Sequence, residues 1–237
     1  MPAVSPEPKL TVDLPRGPVR AVALVMHGGR SRGTGPVRAS QLAVLRMVPF
    51  AKHLRHAGAE DGLAVARLRY VQRGWNGAAR APVGDARWAL AELERRFPGA
   101  PVGLVGHSMG GRTALYVADY PTVQAVVALA PWIEQGDPVD QLTGRRVLIA
   151  HGALDRMTSP PASAAYARAA ALVADSVSYI SIQDDRHAML RRARLWHELA
   201  TGFLLGVLCA RPPDGTVDPE TTNVLRQALA GYASLVV

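Results

Sequence analysis

Five residues, Gly106-His107-Ser108-Met109-Gly110, stand between the apolar run 102–105 and a helix-compatible stretch, 112–118. Small residues two positions either side of Ser108 let the chain reverse sharply. The hydroxyl then projects from the carboxyl edge of a sheet, and the N–H groups that follow open a helix. A serine on such a corner is placed to attack a carbonyl carbon. It is a weak nucleophile until a base takes its proton, so an imidazole and an orienting carboxylate must come from elsewhere in the chain. Asp155 follows the apolar run 147–150, His187 follows the run 177–182, and the turn His27-Gly28-Gly29 follows the run 20–26.

The elements that must position these residues are legible as alternating patterns. Runs 20–26, 63–68, 102–105, 125–129, 147–150 and 177–182 are almost wholly apolar, as expected of strands buried on both faces of a mostly parallel sheet. Between them fall stretches with helical spacing. Ser40 is placed to cap a segment carrying Leu42, Leu45 and Leu54, interrupted near Pro49; 85–97 carries Leu90, Leu93 and Phe97; 163–173 is alanine-rich; and 190–205 is the longest apolar-faced candidate. Such alternation predicts an α/β fold, a doubly wound and mostly parallel sheet of about seven strands with helices on both faces. Its ligand site lies at the carboxyl ends of the strands, where all four chemically suggestive segments fall. Residues 1–9 read as a Pro-rich tail, 10–14 as a short edge strand within a single domain spanning 10–210, and 211–237 as a helical extension. For that extension, packing on the domain, an oligomer contact and fraying all stay open.

Composition narrows the function classes. The 237 residues suffice for one sizeable domain, and 49% hydrophobic content argues against disorder. The net charge of +8 comes from 27 basic and 19 acidic residues, nearly all the basic ones arginine. They are scattered, with no block of like charge to mark a nucleic-acid partner, although a positive field could attract anionic substrates. A single cysteine, Cys209, excludes an internal disulfide and reads as a small buried hydrophobe. Prolines break the amino-terminal segment where a signal peptide needs an apolar run, and no run has membrane-spanning length, so the expected location is cytoplasmic, with no membrane partner. No metal or organic cofactor is implied. The seven histidines lack ligand spacing, His53 and His56 read as a solvated pair, and the Gly28-Gly29 turn is no dinucleotide fingerprint.

Through the elbow at 106–110, the His27-Gly28-Gly29 turn, His151-Gly152-x-x-Asp155 and the late His187, the chain resembles the α/β-hydrolase family of serine hydrolases over residues 10–205. The order serine, aspartate, histidine is the one this family uses. The resemblance implies Ser108 as nucleophile, His187 as general base and acid, and Asp155 as the orienting carboxylate, with Asp137, Asp184 and Asp185 as rivals for that last role. It implies an oxyanion hole made by the Met109 N–H and a second donor from the His27 turn, Gly29 ahead of Arg30. His27, His107 and His151 brace the backbone on this reading. Two departures stand out: one edge strand where the full family begins with two, and too short an interval at 133–145 for a helical lid. The chain therefore looks like the lidless, dienelactone-hydrolase-like or esterase branch. Its open pocket would be walled by 30–37, 72–79 and 132–137, with Arg30 a candidate substrate contact and Trp75 and Trp132 either lining it or simply packing. The implied activity is cleavage of small carboxylic esters through an acyl-enzyme on Ser108. A thioesterase, small peptidase or acyltransferase would use the same triad, and a non-catalytic binding protein on the same scaffold is the alternative class. Oligomeric state stays open.

Overall fold

Each apolar run becomes a strand in a computed structural model that describes residues 7–213, 217–231 and 234–237. The strands are β1 (Lys9–Asp13), β2 (Ala21–Met26), β3 (Leu63–Arg69), β4 (Val102–His107), β5 (Val123–Leu129), β6 (Arg146–Gly152), β7 (Ser176–Ile182) and β8 (Ser234–Val236). They form one eight-stranded sheet in the order β1-β3-β2-β4-β5-β6-β7-β8. Only β1 runs antiparallel, on β3, and the other pairings are parallel.

Among the described residues six α-helices cover the sheet: α1 (Leu42–Ala57), α2 (Ala81–Arg96), α3 (Met109–Tyr116), α4 (Pro160–Ala170), α5 (Ala193–Leu208) and α6 (Pro219–Leu229). Successive strand residues point to opposite faces, which builds two cores. Leu24 and Leu104 face Leu90, Leu93, Leu115 and Tyr166 of α2, α3 and α4. Their neighbours Val25 and Val105 face Phe50, Leu54, Trp196 and Phe203 of α1 and α5. Each fully buried leucine or phenylalanine contributes about 1.5–3 kcal/mol of transfer free energy. That burial fixes the register of the strands whose ends carry the chemistry.

Several element boundaries differ from the sequence expectation. The cap of α1 is Gln41, not Ser40, and the helix runs unbroken through Pro49. Proline forgoes one backbone bond there, but Met47, Phe50, Ala51 and Leu54 are buried around it, and that apolar anchorage outweighs the loss. Helix α2 begins at Ala81 rather than 85, with Pro82 in its first turn, where a missing N–H costs nothing. Helices α4 and α5 are displaced by three residues, α4 toward the amino terminus and α5 toward the carboxyl terminus. Between β5 and β6 lies only a single short 3-10 turn, Asp140–Leu142, with no lid domain.

Residues 1–6 of the expected tail, and 214–216 and 232–233 of the expected extension, lie outside the described residues. Within that extension, α6 lays Val224, Leu225 and Ala228 into the α5 side of the core. A Cβ on Gly202 or Gly206 would strike Leu225 or Leu229, so these glycines let α6 approach α5 closely. β8 then pairs with β7, an eighth strand where about seven were expected. Cys209 is only partly buried, because it caps the end of α5 and packs against the margin of the core.

Candidate active site

Ser108 joins β4 to α3 with φ 56 and ψ −118, a left-handed backbone unusual for a side-chain-bearing residue. Such a conformation costs about 1–3 kcal/mol and persists only where its surroundings enforce it. The enforcing contacts are specific. The Ser108 N–H donates to Leu129 O at 2.9 Å, and its carbonyl accepts from Arg112 N at 3.1 Å and Trp132 N at 3.2 Å. A Cβ on Gly110 would lie 2.6 Å from the carbonyl oxygens of Met26 and His27, and one on Gly106 would collide with the Gly110 backbone. Glycine at both positions is therefore what lets α3 start against the end of β2.

Asp155, after β6, and His187, after β7, are brought together: His187 Nδ1 donates to Asp155 Oδ2 at 2.7 Å. Nε2 is left as the nitrogen free for a substrate or nucleophile. The same carboxylate oxygen accepts from His151 Nε2 at 3.0 Å and from Thr158 Oγ1 at 2.8 Å. The other oxygen accepts the Met157 and Thr158 N–H groups at 2.7 and 3.1 Å. Burial of Asp155 pushes its pKa upward, but the bonds from His151, His187 and Thr158 outweigh that and hold it well below the usual carboxylate range. With Nε2 donating, His151 Nδ1 accepts from Ser163 Oγ at 2.8 Å. His151 thus does more than brace a turn, and Thr158 is a participant that sequence reasoning missed.

His187 stands beside the elbow. Its carbonyl accepts from His107 Nε2 at 2.9 Å, and the two rings lie 4.7 Å apart. Among the described residues no hydrogen bond joins Ser108 Oγ to the His187 ring. The loop that carries His187 is held by Asp185, which is buried and accepts from Arg186 N at 2.7 Å, Arg192 N at 3.0 Å and Trp196 Nε1 at 2.9 Å. This rival acid is therefore an anchor for the histidine's loop. Asp184 is exposed in a left-handed turn. Asp137 accepts from Arg112 and Tyr116.

The Arg30 N–H is already committed to Arg73 O at 2.9 Å. Among the described residues the N–H groups of Gly29 and Met109 have no such backbone partner. A Cβ on Gly29 would lie 2.6 Å from Arg73 O and would also meet the Met109 side chain, so these two segments meet only because residue 29 is glycine. His27 and His107 are buried, and burial lowers their pKa values to about 4 and about 3, leaving both rings neutral. His53 and His56 do not form a solvated pair. His56 is exposed, but His53 is partly buried and stacks on His197 at 5.9 Å.

Trp75 and Trp132 meet edge to face at 6.2 Å, and Arg112 sits in the corner they form, 4.3 Å from one ring and 4.6 Å from the other. One guanidinium nitrogen of Arg112 reaches Glu134 at 2.8 Å and Asp137 at 2.6 Å. Arg112 went unnoticed in the sequence, where its one signal is an arginine four residues after Ser108 in an otherwise uncharged helix. It fixes both tryptophans and the 132–137 loop against the elbow helix.

No group of His, Cys, Asp or Glu among the described residues is arranged to hold a metal ion. No described helix is long and apolar enough to cross a membrane. The family described as serine aminopeptidase, S33, matches residues 70–146, which include the elbow. No curated protein matches the chain. Among solved structures, the esterase domain of a Rhodothermus marinus protein is similar at 17% identity over 85% of this chain and 99% of its own, with a TM-score of 0.61. An alpha-beta serine hydrolase homologue from Coxiella burnetii is similar at 17% identity over 82% and 90% of the two chains, with a TM-score of 0.62. A Xanthomonas campestris a/b serine hydrolase without lid is similar at 17% identity over 80% and 84%, with a TM-score of 0.58. At such identities the likeness is one of fold.

Proposed function

We propose that this chain, which has the lidless α/β-hydrolase fold, is a serine hydrolase that cleaves small carboxylic esters through an acyl-enzyme on Ser108. The observation that carries the reading is the pairing of His187 Nδ1 with a deeply ionised Asp155 beside a strained serine. Asp155 fixes the His187 tautomer with Nε2 bare, the arrangement a general base needs. On this reading Nε2 takes the Ser108 proton as Oγ bonds to the ester carbonyl carbon. It then returns that proton to the leaving alkoxide, and a water repeats the sequence to release the acid. Substrate binding closes the Ser108–His187 contact that the resting site leaves open.

The oxyanion is assigned to the N–H groups of Met109 and Gly29, because the Arg30 N–H is spent on Arg73. Each such donor contributes roughly 3 kcal/mol to the transition state. Arg30 stays a candidate substrate contact through its exposed side chain. Cytoplasmic placement belongs to the same proposal and is supported by a fold that uses no disulfide.

The family match at 70–146 favours a second reading, cleavage of aminoacyl amides with the same residues. Turnover of p-nitrophenyl esters of graded acyl length, beside an acyl thioester and aminoacyl p-nitroanilides, separates the two. Ester hydrolysis abolished in Ser108→Ala supports the proposal; turnover of the anilides alone transfers it to the peptidase class.

A further inference from the structure

Beside the elbow opens a cavity of about 470 Å³, floored by Trp75, Trp132 and Tyr116. Ser108 does not line it, but two lining residues are anchored to the elbow by their backbone: the N–H groups of Arg112 and Trp132 both donate to the Ser108 carbonyl. A substrate chain long enough to pass from Ser108 over Trp132 would lead into the cavity.

The charges on its wall do not cancel. Arg32, Arg80 and Arg112 line it together with the carboxylates Glu134 and Asp137. Both carboxylates are taken by Arg112. Arg32 and Arg80 are exposed, and among the described residues neither has a carboxylate partner. Their placement is fixed by backbone. Arg80 has φ 43 and ψ 44 at the start of α2, a strained conformation for arginine, and its guanidinium sits 5.1 Å above the Tyr116 ring. The loop bearing Arg32 is tied to the one leading to Arg80: Asn76 Oδ1 accepts from Gly33 N at 2.8 Å, and Asn76 N donates to Ser31 O at 3.0 Å. Two unpaired guanidiniums above an aromatic floor suit an anionic group at the far end of an apolar chain.

We infer that this cavity binds a substrate carboxylate through Arg32 and Arg80, making the preferred substrates half-esters of dicarboxylic acids. This rests on the ester-hydrolase reading above. The test compares mono-p-nitrophenyl adipate and suberate with their methyl-capped counterparts. The free carboxylates should be preferred about tenfold in kcat/KM, a preference that shrinks as added salt screens the guanidiniums. Arg32→Gln with Arg80→Gln should bring the ratio close to one. Equal or faster turnover of the capped esters, or a preference that survives the double substitution, overturns the subsite. Calorimetry on folded Ser108→Ala protein with monomethyl suberate reads the subsite without chemistry, and binding unchanged by the double substitution also overturns it. Fluorophosphonate labelling of Ser108 keeps the two readings apart: labelling without carboxylate preference removes only the subsite, whereas its absence removes the hydrolase reading.

Discussion

Asp155 Oδ2 holds His187 Nδ1 at 2.7 Å while accepting two further donors, His151 Nε2 and Thr158 Oγ1. The carboxylate is thus fixed from three sides, and its ionisation is insulated from the state of any single partner.

Replacing Asp155 by Asn keeps the size of the side chain but offers His187 a donor, favouring the wrong tautomer. The expected loss in kcat for p-nitrophenyl acetate is about 10⁴-fold, with the circular dichroism spectrum unchanged.

Substitution at His151 should sort by hydrogen-bond capacity. His151→Gln retains an N–H for Asp155 and should stay near wild type, whereas His151→Leu removes a bond to a charged group and should cost about tenfold in kcat. Steady-state kinetics on the two variants checks this, and equal rates would show that His151 does not orient the carboxylate.

Arg112→Leu strips Asp137 of its cation in a site where both side chains are about 4% exposed. An uncompensated buried charge costs roughly 3–5 kcal/mol. Urea unfolding should report that loss, and adding Asp137→Asn should recover part of it.

Stability should also fall with acid. Unfolded, the rings of His27 and His107 titrate near 6.5; folded, they resist protonation to about 4 and about 3. Between those limits the unfolded chain binds more protons. The contribution is complete above pH 6.5 and drains as pH drops, by about 1.4 kcal/mol per pH unit per ring. Asp155, held low when folded, adds to the loss only below about pH 4. His27→Gln should flatten the upper part of a melting-temperature profile between pH 7 and 4.

The α/β-hydrolase resemblance is borne out, and the fold was legible because runs such as 20–26 and 147–150 are apolar on both faces, a pattern helices of this length do not need. β8 was not, because Ser234-Leu235-Val236 is too short to show a period and is a strand only through its pairing with β7. At the site, Ser108 carried a local signal in its flanking glycines. Asp185 did not: its carboxylate reaches four groups between Arg186 and Trp196, a closure that proximity in sequence disguises. Arg112 depends on two tryptophans and two acids from distant loops, and no local pattern announces such a set.

The central claim, that Ser108 is a nucleophile activated by His187, is tested most directly by fluorophosphonate labelling followed by peptide mass spectrometry. The account predicts one adduct, on Ser108, absent in Ser108→Ala and slowed at least 10³-fold in His187→Gln. A folded protein that stays unlabelled, or whose Ser108 labels as fast without the imidazole, would contradict it.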